Sequence, residues 1–513
     1  MSGAKKLLHN TLLLTATSFL MRTIAVSFNV YLTDKIGTDG IGLFQLISSV
    51  YAMAITFASG GIKLASMRLV ADNRVSSHLS ERQIMRTCLF YAFACGTIVA
   101  IILFEFSGFI GTKWISDERS ISSLKVLSLS LPFISASAAL GGYFTAIGKV
   151  FRYTFVQLCE QLLKITVTVF ALRSVVSYGL EASCIAIVSG MTVTEIFSAT
   201  ASAVLYRITS KKSEFTDKLK NISKKLLHIA IPDAIGAEMR SVLMTVEHLL
   251  IPVGFKKSGI NPQSAMSTYG IIHGMSLPLV LYPSALLSSL SGLLVPEISA
   301  QHSEGNRTRI SYMTARVLHI ALLFSIGTAG IIYYNAHEIS VGVYSDENVT
   351  FYTRLLSPLI PVMYLDMTID GILKGLDQQK SYMRYNIIDA SICVALVYFL
   401  VPVFSVKGYI FVVFISEIIN FALSFRRLTV VSEVRVDLFR DIVVPLGCVI
   451  CTGAVKNIVS PIVFAGTGDK LLAIFSVSLS VIVYLLLLKI FSSIDNEEIA
   501  WAKNITVRKI KNH

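Results

Sequence analysis

Charged residues are scarce in this chain, and they are never gathered into a long polar segment. Asp, Glu, Lys and Arg make up only 15% of its 513 residues, whereas a soluble domain usually contains about 25%. No interruption between its apolar runs is long enough to hold a folded soluble domain. The chemistry of this protein is therefore expected within a membrane or at its two faces.

The motifs of several enzyme classes are also missing. The sequence contains no phosphate-binding P-loop, no His-Glu-x-x-His, no Gly-x-Ser-x-Gly and no Gly-x-Gly-x-x-Gly between a strand and a helix. All seven cysteines lie in apolar runs, and the pair Cys448 and Cys451 has no second Cys pair or His partner in the sequence. We therefore predict that the chain is not an enzyme and uses no cofactor and no metal.

Long apolar runs are abundant. Fourteen of them follow one another between about residue 7 and residue 491, and about 20 apolar residues cross a hydrocarbon core about 30 Å thick. Hydrophobic residues make up 54% of the chain, and its mean hydropathy is +0.67. We predict an all-α integral membrane protein with 14 transmembrane helices. The prolines expected to kink these helices are Pro132, Pro232, Pro278, Pro283, Pro358 and Pro361.

Positive charge is distributed by side of the membrane, within a net charge of +13. The loops of the cytoplasmic side hold about 27 Lys and Arg residues and those of the outside about nine, Lys456 among them, which is the asymmetry that orients membrane proteins. Because these residues form no single basic stripe, a nucleic-acid partner is excluded. We predict a multi-pass plasma-membrane protein with both termini in the cytoplasm.

A weak internal repeat divides the chain. A shift of about 225 residues places Phe44 on Tyr269, and one of about 229 places Pro132 on Pro361. Both shifts join helices of the same predicted direction, and such parallel repeats form paired bundles that rock around a central site. We predict two six-helix lobes around a central cavity, followed by two further helices. The expected domains are 1–210 for the N-terminal lobe, 211–430 for the C-terminal lobe, and 431–513 for the two additional helices and a cytoplasmic tail.

Several basic residues lie inside predicted helices, where each costs about 2.5–3.5 kcal/mol unless it faces a wet cavity or a partner. Arg22 is central in the first helix, with no acid three or four residues away. Lys63 follows two glycines that can open the backbone, and Arg240 is near the middle of the seventh helix. We predict that Arg22, Lys63, Arg68 and Arg240 bind an anionic substrate. The alternative for Arg68 is that it snorkels to the cytoplasmic headgroups.

The acids of the tenth helix form one stripe. Asp366, Asp370 and Lys374 stand four residues apart. Lys374 could neutralise Asp370, and Asp366 is then the candidate proton or cation site. Glu247 aligns with Arg22 under the shift of about 225 residues, so a pair between these two is a further hypothesis. Glu247 is the second candidate for ion coupling.

Two more intramembrane features have a structural alternative. Glu160 and Lys164, one turn apart, are either an internal ion pair that lets the helix insert or part of a site. His273, in Gly-Ile-Ile-His-Gly-Met, is either a hydrogen-bonded packing residue or part of the substrate cavity. We include His273 among the candidate substrate-binding residues.

Three segments resemble the stage V sporulation protein B group. The first is Gly40-Ile-Gly-Leu-Phe-Gln-Leu-Ile, followed by Ser59-Gly-Gly-Ile-Lys-Leu-Ala-Ser-Met-Arg-Leu-Val-Ala-Asp. The second is Tyr269-Gly-Ile-Ile-His-Gly-Met-Ser-Leu-Pro-Leu. The third is Asp370-Gly-Ile-Leu-Lys-Gly-Leu-Asp-Gln-Gln-Lys. The match spans the chain in order, which makes it more specific than any one motif.

This group belongs to the polysaccharide transporters of the multidrug/oligosaccharidyl-lipid/polysaccharide exporter superfamily, alongside the lipid II flippases. The resemblance implies two six-helix lobes, a central cavity, and two extra helices that could form a groove for a lipid tail. It also implies flipping of polyprenyl-pyrophosphate-linked saccharides to the outer leaflet. Lipid II flippases hold pyrophosphate with arginines on their first helices, which Arg22 matches by location. Lys63 and His273 depart from the residues usual in the group.

We therefore predict a flippase for a polyprenyl-pyrophosphate-linked oligosaccharide, a precursor of cell-wall or surface polysaccharide. It would work by alternating access, as a monomer among membrane lipids. A cation-coupled multidrug antiporter is one alternative, which calls for cavity acids rather than bases and twelve helices rather than fourteen. A membrane scaffold or glycan polymerase is the other, and a polymerase should carry a large outside loop with catalytic residues, which is missing here.

Overall fold

The computed structural model describes the backbone of residues 3–76, 81–210, 219–434, 437–463 and 468–491. Within these ranges, the side chains of 3–19, 74–76, 219–221, 233, 289–294, 296, 460–463 and 469 are not described. Most of the basic segment 207–225 and the whole tail after residue 491 lie outside the described side chains.

Helices make up nearly all of the described backbone. No strand occurs in these ranges, and nine helices within them are long and apolar enough to cross a membrane. The number becomes ten if the pair Ser120–Ser128 and Leu131–Ala146, bent by 45°, is one broken span. The predicted all-α integral membrane fold is confirmed. The predicted count of 14 crossings is consistent with this helix order and stays a prediction.

Two of these spans are 54 residues long, Leu20–Asn73 and Gln379–Ser432. The helix of the first breaks at Gly37 (φ 71°, ψ 178°), and that of the second breaks at Ser405 (φ 55°, ψ −136°). The sequence predicts loops of several residues at both places. The structure instead breaks each helix at a residue with positive φ, a conformation that glycine adopts without steric cost.

The chain divides into two compact units. The first, here the N-terminal unit, is Lys35–Ser267 with Val397–Val403. The second, the C-terminal unit, is Met1–Asp34 with Thr268–Leu396 and Phe404–His513. The predicted domain boundaries at residues 210 and 430 differ from this contact-based division and stay a prediction.

The N-terminal unit is built from nine helices. They are the second part of α1 (Gly3–Ser59), α2 (Ile62–Ser76), α3 (Glu81–Phe109), α4 (Ser120–Ser128), α5 (Leu131–Ala146), α6 (Val150–Val175), α7 (Leu180–Thr209), α8 (Leu219–Lys257) and most of α9 (Pro262–Tyr269). A π-helical segment, Ile110–Ile115, extends α3, and a 3-10 turn, Val176–Tyr178, follows α6.

Small residues bring the backbones of this unit close together. Helices α2, α3, α5 and α8 meet around a core that includes Ala65, Ala92 and Ala230, each fully buried. At Gly142, a Cβ atom would overlap the carbonyl oxygen of Lys63. Lipid is as apolar as these side chains, so close van der Waals packing, rather than water exclusion, holds such helices together.

The C-terminal unit contains the remaining helices. They are the first part of α1, then α10 (Leu277–Leu281), α11 (Ser284–Ser303), α12 (Arg307–Tyr334), α13 (Ala336–Tyr344), α14 (Asn348–Leu356), α15 (Ile360–Gly375), most of α16 (Gln379–Ser432), α17 (Val444–Val463) and α18 (Asp469–Ile490). The π-helical segments Gly270–Ser276 and Phe439–Val443 precede α10 and α17, and the 3-10 turn Ser357–Leu359 precedes α15.

The last two helices pack directly on α12. Tyr484 on α18 is buried and donates a hydrogen bond to the Leu323 carbonyl at 2.8 Å. Gly327 leaves room for the Tyr484 ring, and Gly330 leaves room for Val449 on α17. Helices α17 and α18 are therefore part of the core of this unit.

Most of the predicted proline kinks coincide with helix ends. Pro132 lies in the first turn of α5, Pro283 lies between α10 and α11, and Pro358 and Pro361 flank the start of α15. Pro232 is the exception, since it lies inside α8, which continues past it.

We expect Gly61→Ala to lower the free energy of unfolding more than Gly148→Ala. Both glycines have positive φ (65° and 71°), where a Cβ costs about 1–2 kcal/mol. At Gly61 the added Cβ would also overlap the Ala230 carbonyl, and such overpacking costs about 1–3 kcal/mol more. Gly148 has open space there. Thermal unfolding in detergent measures both, and equal losses would show that the α2–α8 contact is not tight.

Candidate functional site

Arg22 contacts a helix break in the C-terminal unit. Its Nη2 donates to the Leu281 carbonyl at 2.8 Å, and the Ser284 hydroxyl donates to the same oxygen at 2.7 Å. Leu281 ends α10, and the next amide able to reach its carbonyl, that of Ala285, bonds to Tyr282 instead. Arg22 therefore supplies a donor that the broken helix lacks, using one of the five N–H groups of its guanidinium.

Other polar side chains stabilise the same irregular segment. Tyr364 on α15 donates to the Val280 carbonyl at 2.6 Å, and the Thr23 and Tyr282 hydroxyls are 2.9 Å apart. Asn29 donates to the Gly274 carbonyl within the π-helical turn. In lipid, backbone groups released by a break must be satisfied internally, so these contacts allow the segment to remain non-helical.

Lys63 and Arg68 lie on α2 of the N-terminal unit, and both side chains are exposed. Ser66, between them, donates to the Ala139 carbonyl at 2.9 Å and so faces α5. Lys63 is one turn from Ser66, but its exposed side chain points away from the core of its unit. It is thus positioned on the unit's surface, as a substrate-binding cation must be.

Arg240 and Glu247 are both half-buried on α8. They stand seven residues apart and therefore lie on the same face, two turns from each other. The side chain of the neighbouring acid Asp233 is outside the described residues. The predicted site residues thus divide between the units, with Lys63, Arg68, Arg240 and Glu247 in one and the other three in the second.

His273 lies in the π-helical turn Gly270–Ser276 and is held by aromatic neighbours. Its Nε2 is 2.7 Å from the Tyr409 hydroxyl. The Tyr269 ring stacks on it, with centroids 4.6 Å apart and planes at 29°. Both tyrosines are buried. Between the two alternatives from the sequence, this geometry favours the hydrogen-bonded packing residue.

Asp366 is buried on α15 and accepts a hydrogen bond from Asn420 Nδ2 at 2.8 Å. One turn earlier on α16, the Ser416 hydroxyl donates to Asp389 at 2.5 Å. Asn420 and Ser416 therefore connect α16 with acids of two neighbouring helical segments. Lys374 lies over the Tyr382 ring, with Nζ 4.4 Å from its centroid, so a cation–π contact holds this base.

An apolar groove lies among four helical segments of the C-terminal unit, and its volume is about 430 Å³. Two walls are stripes with a spacing of four residues. The first stripe is Leu318, Leu322 and Ile326 on α12. The second stripe is Leu438, Ile442 and Leu446, which runs through the π-helical segment Phe439–Val443 into the start of α17, and it is called the α17 stripe below. The other two walls come from α15 and α16 and include Pro361, Val362, Leu365, Phe421 and Phe425.

The groove opens on the second stripe. Leu438 is 66% exposed and Leu446 is 47% exposed, whereas the α12 stripe is buried. All eleven lining side chains are apolar. An open, wholly apolar groove in a membrane protein can accept a hydrocarbon chain. One wall of this groove comes from the first of the two extra helices, where the family resemblance implies a groove, and none of the lining residues is on α18.

Two buried polar pairs in this unit were not recognised in the sequence. Lys456 Nζ is 2.5 Å from Glu338 and 3.0 Å from the Tyr334 carbonyl, so this lysine is inside the unit rather than in an outside loop. His319 donates from Nδ1 to Asp441 at 2.6 Å. The partners of both pairs lie more than a hundred residues apart, so no local spacing indicates either contact.

The comparisons with known proteins agree with the motif resemblance. The model of the polysaccharide biosynthesis protein family matches residues 7–256. Stage V sporulation protein B of Bacillus subtilis (strain 168) is 20% identical over 501 residues, which cover 96% of each chain. Sporulation protein YkvU of the same organism is 19% identical over 398 residues, covering 76% of this chain and 87% of that protein.

Two solved structures share the fold. The lipid II flippase MurJ in an inward closed conformation has a TM-score of 0.73 at 14% identity, covering 94% of this chain and 98% of that chain. An inward-facing multidrug resistance transporter of the MATE family has a TM-score of 0.61 at 12% identity, covering 81% and 96%. The resemblance predicted from the motifs is confirmed.

We expect Tyr409→Phe to lower the free energy of unfolding by about 1–3 kcal/mol, because it removes the buried hydroxyl that faces His273 Nε2. The matched control is Tyr398→Phe, whose side chain is 54% exposed and should change stability little. Thermal unfolding of the two purified variants measures this difference in stability. Equal stability of both variants would contradict a packing role for His273.

Proposed function

We propose that this chain, whose residues 7–256 match the model of the polysaccharide biosynthesis protein family, flips a polyprenyl-pyrophosphate-linked oligosaccharide across the plasma membrane by alternating access. The substrate class would be a precursor of cell-wall or surface polysaccharide. The chain would act as a transporter rather than an enzyme, as a monomer with both termini in the cytoplasm. The two predicted lobes and their central cavity are part of this proposal.

The proposal rests on two basic residues within an apolar helical stretch. Arg22 and Lys63 both lie within Leu20–Asn73, a helical stretch apolar enough to span the membrane. A base at such a position costs about 2.5–3.5 kcal/mol on insertion. A pyrophosphate is an anion that loses its hydration on leaving the membrane surface, and cationic side chains replace that hydration. An arginine can do so with two parallel hydrogen bonds to phosphate oxygens.

Arg22 suits this role because part of its guanidinium is already oriented. The bond from Nη2 to the Leu281 carbonyl holds the head of the side chain, and a held fork loses less entropy when it binds an anion. Lys63 differs, since its exposed ammonium is a point charge on a flexible stem. We propose that both contact the pyrophosphate during the cycle, with Arg68 and Arg240 as weaker contributors, whereas His273 keeps the packing role that its contacts with Tyr269 and Tyr409 favour.

The apolar groove would hold part of the polyprenyl chain. Only apolar side chains line it, and two residues of its α17 wall are open to the surroundings. The headgroup could then cross the membrane while the tail stays in a lipid-like environment. An apolar groove of this kind supports a lipid-linked substrate over a water-soluble sugar, which has no hydrocarbon chain to bind in it.

The main test is reconstitution in liposomes with a labelled lipid-linked sugar. We expect Arg22→Ala and Lys63→Ala each to lower the translocation rate about tenfold or more, because each removes a charge-assisted contact worth about 1.5–3 kcal/mol. Lys149→Ala is the matched control, since Lys149 is an exposed base in the turn before α6 and should translocate at the wild-type rate.

Unchanged translocation by both variants would overturn the assignment of these two residues. Loss of translocation in the control as well would point to a general effect of net charge. Absence of translocation by the wild-type protein would reject the flippase proposal itself.

Asp366 is the residue proposed to couple transport to an ion or proton gradient. Asp366→Asn keeps a side-chain oxygen for Asn420 and removes the carboxylate. We therefore expect this variant to fold and to lose the acceleration that an imposed gradient produces. The control is Asp377→Asn, an exposed acid in the turn after α15. A gradient response that persists in Asp366→Asn would assign coupling to another acid, with Glu247 next.

A cation-coupled multidrug antiporter is the second candidate. The buried acid Asp366 and the half-buried acid Asp389 in the C-terminal unit favour it, and its fold would be the same. Export of cationic dyes from liposomes without movement of lipid-linked sugar would support this candidate over the flippase.

A further inference from the structure

The width of the apolar groove decides how well a hydrocarbon chain binds in it. The surrounding lipid is as apolar as the groove, so a chain gains no hydrophobic free energy on entering. Binding must then come from van der Waals contact with the walls, and a gap of about 0.5–1 Å forfeits a quarter to a half of each contact. Residues that hold the walls at the right spacing therefore control affinity.

His319 and Asp441 connect two of these walls. His319 directly follows Leu318 on the α12 stripe, and Asp441 directly precedes Ile442 on the α17 stripe. Their side chains are 9% and 11% exposed, and their nearest nitrogen and oxygen atoms are 2.6 Å apart. The pair thus joins the two stripes at the end of the groove where both begin.

Asp441 also shapes the start of its own wall. Its second carboxylate oxygen accepts the Asp437 amide at 3.1 Å, and its amide donates to the Asp437 carbonyl at 2.8 Å. These bonds surround the π-helical turn Phe439–Val443, which places Leu438 and Ile442 before α17 becomes regular. Such π-helical turns are uncommon and frequently occur at functional sites.

The opposite walls are joined in a similar way. Asp366 directly follows Leu365 on α15, Asn420 directly precedes Phe421 on α16, and the two side chains are hydrogen-bonded at 2.8 Å. Each pair of walls therefore has one buried polar contact next to a lining residue.

A second buried pair on α17 allows an effect on the spacing of the groove walls to be separated from an effect on the stability of the protein. Lys456, ten residues beyond Leu446, and Glu338 hold the same helix to the unit, and neither residue lines the groove. A buried ion pair is weak evidence for stability, because desolvation can offset its attraction. A pair that lies beside a groove can instead fix the spacing of its walls, whereas Lys456 and Glu338 do not line this groove.

We propose that His319 and Asp441 are positioning residues for the lipid chain of the substrate, because their contact sets the spacing of the α12 and α17 walls. This inference rests on the proposed function for the identity of the chain, a polyprenyl group. It assigns neither residue to the headgroup or to ion coupling.

The test measures translocation kinetics for two substrates with the same sugar, one with a long and one with a short polyprenyl chain. His319→Phe keeps the ring and removes the hydrogen bond. We expect it to raise KM for the long chain about tenfold, with kcat unchanged, and to leave KM for the short chain within about twofold, since a short chain makes few wall contacts. Asp441→Asn keeps one oxygen that can accept from His319 Nδ1 but loses the acceptor for the Asp437 amide, so it should raise KM for the long chain less than His319→Phe does.

Lys456→Met is the matched control. It breaks the other buried pair and should lower the unfolding temperature without changing the ratio of the two KM values. Equal changes in KM for both chains in His319→Phe, or no change for the long chain, would overturn the proposal. If His319→Phe does not fold, Asp441→Leu removes the same contact from the other side and is judged by the same criteria.

Binding of a radiolabelled polyprenyl phosphate to the purified protein separates this inference from the proposed function. Weaker binding in His319→Phe and wild-type binding in Lys456→Met, with no translocation by any variant, would reject the flippase and retain the positioning pair. Translocation by the wild type, with equal polyprenyl phosphate binding in all variants, would retain the flippase and reject the positioning role of His319 and Asp441.

Discussion

Backbone hydrogen bonding in lipid is the constraint on which the rest of this structure depends. A helix that breaks inside the membrane releases carbonyl and amide groups that lipid cannot satisfy. The segment 262–303 breaks repeatedly, and the carbonyls of Gly274, Val280 and Leu281 each accept a bond from a side chain of another helix. One of those donors is Arg22. The residue proposed to bind pyrophosphate is therefore also part of what keeps an irregular helix stable.

This dual role explains why a costly charge can persist in the first helix. Insertion of an arginine is unfavourable, but one of its donors is used by the Leu281 carbonyl, and the remainder of the fork is held in place. The same argument applies to Asp366, because the hydrogen bond that Asn420 donates to it offsets part of the cost of burying this acid. In both cases a structural contact positions a group that transport could use.

The C-terminal unit also shows how the two extra helices contribute. They pack on α12 through Tyr484 and Val449, which fit against glycines. The start of α17 then completes an apolar groove with α12, α15 and α16. Two buried pairs hold α17 to the unit. His319–Asp441 lies beside the groove, and Lys456–Glu338 lies toward the C-terminal end of the helix. These contacts fix the α17 wall of the groove beside α12.

The amino-acid pattern by itself determined the class of this protein, because runs of about 20 apolar residues allow only membrane helices. It also located Arg22 and Asp366, since charge stands out against such runs, and it placed Lys456 wrongly, since an end residue of a helix looks like a loop residue. Only the tertiary structure decided which charges are paired. Asp366 with Asn420 and His319 with Asp441 join residues far apart in sequence, and such contacts depend on which helix faces which, a choice that local periodicity leaves open.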